Sequence, residues 1–174
     1  PVPDGIELRS QSGQKDAAGA GTSPAAVKMS GGSVRTYHIG DSVVLVVGGR
    51  GKIKRQTVAH SPVGYGVESG LLDEGEAMHH DERHVISNFI GAPDMRIDIG
   101  SPLVLARRDT VLLASDGLFD NLHVEEVVAL LYRGPLLRAV GNLASAARLR
   151  MESPSDGYPS KPDDLTIVAY RRTS

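Results

Sequence analysis

Three stretches of the sequence place an acid where a strand would begin or end: "HIGDSVVLVV" at 38–47, "TVLLASDGLFDN" at 110–121 and "KPDDLTIVAY" at 161–170. In the second, five uncharged residues lead through Ser115 to Asp116, then Gly117. Burying an unpaired carboxylate is expensive, so Asp116 must reach solvent, a cation or strong donors. Asp41 and Asp163 stand at comparable strand termini, where short side chains can converge above a sheet edge. Carboxylates without Cys and without an obvious His trio suit hard, oxygen-seeking ions such as Mg²⁺ or Mn²⁺. Two such ions a few Å apart can share a water, lower its pKa and clamp a phosphoryl group. Turn chemistry is the competing explanation, because Asp before Gly commonly bonds nearby backbone donors. Any one of these acids alone is best read that way. Three together weaken that explanation without displacing it.

Other combinations carry less. His79, His80, Asp81 and His84 form "HHDERH", and His80 and His84, four residues apart, could share a helical face and bind Zn²⁺. The zinc-protease pattern puts Glu directly after its first His, and Asp81 stands there instead. The stretch is predicted to be a solvated helix end. His60-Ser61 lacks the strained elbow of a nucleophilic serine. "GGRGK" at 48–52 lacks the spacer and the Lys-Ser/Thr ending of a phosphate loop, so a hairpin turn is expected. "GLLDEGEAMHH" could form a partner surface.

The elements that must position the aspartates are legible as short apolar segments. "AAVKMS" and "SVRTYHI" flank Gly31-Gly32 as a hairpin would, and "SVVLVV" and "KIKRQT" follow around a glycine turn. Residues 60–84 are predicted to form one or two short helices. "RIDI", "PLVLA" and "TVLLAS" read as strands. "VEEVVALLYR" is an amphipathic helix with Gly134 as its C′ residue, and Pro135 is placed at the first position of a second helix. That helix presents Leu136, Val140, Leu143 and Ala147 on one face. "DLTIVAY" closes as a strand. Many short strands with segregated helices predict an α+β fold on antiparallel sheet.

The 174 residues suit one domain with a substantial core. A formal charge of −2 and six scattered His show no basic field of the kind nucleic-acid binding needs. No Cys is present, which excludes disulfides and thiolate metal sites and fits a reducing, cytoplasmic setting. No apolar run approaches the ~18 residues of a membrane span. Neither nucleic acid nor membrane is therefore expected as a partner, and no oligomer is indicated.

The ordered set "YHIGDSVVLVV", "VLLASDGLFDNL" and "KPDDLTIVAY" resembles the signature segments of the metal-dependent Ser/Thr protein phosphatases (PPM, type 2C). "GAGTSPAAVKMSGGSVRTYHIGDS" and "AHSPVGYGVESGLLDEGEAMHHDERHVISNFIG" resemble stretches of its compact bacterial members. The resemblance implies an antiparallel β-sandwich flanked by helices, with the family's N-terminal strands and first helix missing. Residues 1–20, rich in Gly, Ser, Pro and Ala, read as a flexible lead-in, and the resemblance implies 21–174 as a partial phosphatase domain. Asp116 and Asp163 match metal ligands, Asp41 a weaker third-site ligand, and Gly117 a point where backbone passes close to the site. Asp120 matches an acid taken as structural, and Asp164 stays outside the ligands; no further catalytic residue is assigned. The implied reaction is hydrolysis of phosphoserine or phosphothreonine in a phosphoprotein substrate by a metal-bound hydroxide, with Mg²⁺ or Mn²⁺ as cofactor. The family's early Asp-Gly-x-Gly-Gly, which bridges two metals, does not occur in these 174 residues. Asp4-Gly5 is no substitute, since no glycine pair follows. The chain as given is therefore expected to be an incomplete site, and a non-catalytic, phosphatase-like binding module is the alternative.

Overall fold

Strands rich in Val, Leu and Ala pair into two antiparallel sheets stacked face to face. The computed structural model describes residues 6–8, 15–16, 19–20, 22–83, 85–154 and 157–173. In one sheet the order is β1 (Ile6–Leu8), β4 (Ala25–Ser30), β5 (Ser33–His38) and β8 (Asp98–Ile99), with β9 (Leu103–Val104) also on β5. In the other it is β11 (Ile167–Arg171), β10 (Thr110–Ala114), β6 (Val43–Val47) and β7 (Ile53–Gln56). A separate hairpin joins β2 (Lys15–Asp16) to β3 (Gly19–Ala20). Within the expected lead-in, β1 thus pairs with β4, and Asp4-Gly5 lies outside the described residues.

Burial follows from the layering. Along β4 the side chains alternate, Ala25, Val27 and Met29 inward and Lys28 and Ser30 outward, as a half-covered sheet requires. All five residues of β6 and of β10 are buried, because both faces are covered. Val44, Val46, Val111 and Leu113 pack toward the β4–β5 hairpin. Leu45, Val47, Leu112 and Ala114 pack beneath the helices α4 (Val124–Leu131) and α5 (Leu136–Glu152).

Three shorter helices, α1 (Pro62–Glu68), α2 (Glu74–His79) and α3 (Asp116–Phe119), complete the elements of the described residues. The first two lie within residues 60–84, where short helices are predicted, and Ser61 caps α1 by accepting from Gly64 N at 2.9 Å. On α5 the buried seam runs through Ala139, Leu143 and Ala147, with Leu136 and Val140 only half-buried. Leu143 and Ala147 are buried as expected and Leu136 packs against the same core, while Ala139 joins the seam and Val140 lies at its margin. Pro135 is the N-cap, one position ahead of expectation, and Gly134 (φ +67°) falls two residues beyond the C-cap Tyr132. Arg171 donates to the carbonyls of Leu131 and Gly134 there, satisfying the helix end.

Register decides what happens at the sheet's end. Ala114 is paired with Val43 on one side and Ile167 on the other. The chain therefore enters β6, leaves β10 and enters β11 at one edge, and Asp41, Asp116 and Asp163 all lie within a few residues of it.

Candidate metal centre

Asp116 opens α3 directly after β10, where it cannot retreat into solvent: its side chain is 14% exposed. One carboxylate oxygen from each of Asp116, Asp120 and Asp163 lies within 4.8 Å of the others. Asp120 joins because it follows Asp116 by four residues and so falls on the same side of one helical turn. Its backbone caps α3, the structural role expected of it, but its side chain faces the other acids. That spacing was the signal available in the sequence.

Lys161 lies among these acids. Its Nζ is 2.5 Å from Asp120 Oδ2, 3.3 Å from Asp163 Oδ2 and 3.6 Å from Asp116 Oδ2. Burial opposes its charge, yet the Asp120 hydrogen bond and the charges of Asp120, Asp116 and Asp163 outweigh that and raise its pKa. For Asp116 the balance differs. Burial first, then the charges of Asp41, Asp163 and Asp120, push its carboxyl up to about 7 against the pull of Lys161. Burial also raises Asp41, with the charge of Asp120 adding to the rise and nearby donors and Lys161 opposing it. Asp41 is thus close enough to act on Asp116 electrostatically, although it stands outside the closest trio.

Backbone approaches fix this arrangement. A Cβ on Gly117 would lie 2.5 Å from the carbonyl oxygen of Asp164, so only glycine lets the two acid-bearing segments pass. Ser115 Oγ donates to Asp164 O at 2.9 Å and accepts from Thr166 N at 3.0 Å. Fully buried Asn121 donates to Gly117 O (3.0 Å) and Lys161 O (2.8 Å) and accepts from Lys161 N (2.8 Å). Nothing in its sequence neighbourhood distinguishes Asn121 from a turn residue. Asp164 is exposed, and its N–H donates to Asp163 Oδ1 at 2.8 Å.

A second buried network holds Asp41's loop. His60 Nδ1 accepts from Gly40 N at 3.0 Å, which leaves Nε2 to donate to Asp98 Oδ2 at 3.0 Å. Asn88 Nδ2 lies 2.7 Å from the same Nδ1. Gly40 has φ +88°, and a Cβ there would meet Ser23 Cα at 2.9 Å. His60 is therefore a positioning group and Ser61 a helix cap. Of the other histidines, His84 lies outside the described residues, and His80 Nδ1 accepts from Glu82 N at 3.1 Å. "GGRGK" is the expected hairpin turn, closed by Gly48 N to Lys52 O at 2.7 Å.

Several half-buried carboxylates face one ammonium among the described residues, and burial raises two of them. This donor set is short of positive charge and offers only oxygen, which fits a hard divalent cation.

The chain is 35% identical over 118 residues to a Streptococcus pyogenes serotype M6 protein described as a 2C-type protein phosphatase, a match covering 67% of this chain and 47% of that protein. Over the matched segment the chain is similar to the PPM, type 2C, phosphatases. The serine/threonine phosphatase of S. agalactiae superposes with a TM-score of 0.71 at 27% identity, over 92% of this chain and 62% of its own. The Mycobacterium tuberculosis phosphatase PstP/Ppp shares the fold, with a TM-score of 0.75 at 24% identity over 90% and 62%. No protein-family model matches the chain. The chain spans about half the length of the S. pyogenes relative. No helix among the described residues is long and apolar enough to cross a membrane.

Proposed function

We propose that the acid cluster is a divalent-cation site serving hydrolysis of phosphoserine or phosphothreonine in protein substrates. The observation that carries this reading is the convergence of Asp116, Asp120 and Asp163, from two distant segments, within 4.8 Å at one sheet edge. A solved PstP catalytic domain of the same fold holds two manganese ions, which supports Mg²⁺ or Mn²⁺ as the ion here. Asp116 and Asp163 would hold it, with Asp41 as a weaker ligand and Asp120 beside them, within a phosphatase domain spanning residues 21–174. When bound, such an ion supplies neutralisation of phosphoryl charge and acidification of water.

The chain's own residues do the rest. Gly117 and Asn121 keep the acid-bearing segments together, and Ser115 ties the β10 end to the segment entering β11. A cavity of about 350 Å³ adjoins Asp120, with Val43, Val63, Val67 and Phe119 in its walls, and offers an apolar wall to a substrate polypeptide. In the reaction the water oxygen bonds to phosphorus, the P–O ester bond breaks, and the alcohol leaves with a proton.

A second reading, a phosphatase-like binding module, draws on the lack of any Asp-Gly-x-Gly-Gly in these residues. One experiment separates the two. Mn²⁺ binding and aryl-phosphate turnover are measured on this chain and on Asp116→Asn. The cation site requires binding that Asp116→Asn abolishes; unchanged binding refutes it. Turnover that needs Mn²⁺ establishes the enzyme. Binding without turnover is the outcome of an incomplete site and of a module alike, and turnover regained on supplying an upstream Asp-Gly-x-Gly-Gly segment then separates them.

A further inference from the structure

We infer that Lys161 is a built-in counter-ion that competes with the divalent cation for the acid cluster and so sets how much metal the protein requires. The inference rests on the cation-site reading above. An ammonium has three donors, and here carboxylate oxygens of Asp120, Asp163 and Asp116 surround it at 2.5, 3.3 and 3.6 Å. A small divalent cation needs such oxygens at about 2.0–2.2 Å in its own geometry, so ammonium and ion cannot share them. Metal entry therefore displaces the ammonium, and whatever favours the lysine in the metal-free protein is lost from metal affinity.

The backbone makes this an exchange of side chain for ion rather than a rearrangement of the loop. Lys161 N and O are both held by Asn121, itself fully buried. On the same loop Ser160 Oγ donates to Arg150 O at 2.7 Å, and the Arg150 guanidinium lies 4.1 Å over the Tyr158 ring. None of these contacts uses the lysine ammonium. The side chain, 25% exposed, can swing outward while its Cα stays in place. Metal-free, it holds together acids that would otherwise repel one another.

The test is calorimetric titration of Mn²⁺ into the 174-residue chain, comparing wild type with Lys161→Met, Lys161→Gln and Lys161→Arg, alongside urea unfolding without metal. Removing the ammonium is expected to tighten Mn²⁺ binding by about tenfold or more, from the Coulombic repulsion relieved at this distance. Lys161→Arg is expected to stay near wild type. Metal-free Lys161→Met is expected to unfold at lower urea, the opposite direction to its metal affinity. A merely structural lysine would lower both together. Equal or weaker Mn²⁺ binding in both Lys161→Met and Lys161→Gln overturns the inference while leaving the cation site standing. No Mn²⁺ binding by any of the four proteins overturns the cation site itself, and the inference with it.

Discussion

At Asp116, burial and the carboxylates of Asp41, Asp163 and Asp120 act in one direction, and Lys161 does not offset them. Its carboxyl titrates near 7 in the folded chain against 3.8 as the ordinary value. The folded state therefore holds this proton more tightly than the unfolded state. Stability from the protonated acid is complete below the ordinary value and is lost as pH rises toward 7. Asp116→Asn removes that penalty. Without metal, the variant is expected to be more stable than wild type at pH 8 by on the order of 1–2 kcal/mol, the full shift being discounted for solvent that reaches the site. Near pH 4 the difference should vanish. Urea denaturation at both pH values checks this, and a wild type that is the more stable at pH 8 refutes it. Saturating Mn²⁺ should reverse the order at pH 8, since a cation that binds only the folded state stabilises it.

Elements, not residues, bring the acids together, so the next predictions concern the connections. Gly117→Ala sets a Cβ against the Asp164 carbonyl, which belongs to backbone and cannot swing away. The segments leading out of β10 and into β11 must then part. A loss of about 1–3 kcal/mol in unfolding free energy is expected, with weaker Mn²⁺ binding. Asn121→Ala strips partners from Gly117 O, Lys161 O and Lys161 N at once. A loss of about 2 kcal/mol or more is expected from buried groups left unpaired. Unchanged unfolding in either variant would show that the loop is held elsewhere.

Local signals explain why the strands were readable and these ties were not. The Gly31-Gly32 hairpin, the buried runs of β6 and β10 and the acids at their ends each leave a mark in neighbouring residues. Lys161 and Asn121 leave little, because the bonds between them and the Lys161–Asp120 pair span about forty positions, even though Gly117 and Asp163 are near neighbours in sequence. Asp120 falls between, since its spacing from Asp116 was visible but the direction of its side chain depended on α3 forming. On α5 the apolar pattern located Leu143 and Ala147 in the seam, and only the share taken by Ala139 depended on how the helix lies on the sheet.

Across the whole sandwich, a second buried titration runs against that of Asp116. His38 closes β5 on the inner face, 2% exposed, and its ring centroid lies 4.4 Å from that of His60. Its Nε2 meets no hydrogen-bond partner among the described residues. Burial, and then the neighbouring His60 ring, lower its pKa from 6.5 to about 4, against the opposing pull of Asp98. Here the unfolded chain takes up the proton first. His38 therefore contributes stability above the ordinary histidine value that is lost as pH falls from 6.5 toward 4. Asp116, and with it Asp41, gain as pH falls, so the acids offset the histidine in the metal-free wild type, Asp116 by the larger share. Asp116→Asn unmasks the histidine. In that background, lowering the pH from 7 to 4.5 is expected to cost on the order of 2 kcal/mol of stability, and adding His38→Gln should flatten the slope whatever it does to the absolute value. Unfolding free energies of the single and double variants across this range test the argument. An equal slope with and without His38 would place the acid sensitivity in other groups and free the inner face of the sandwich from any part in it.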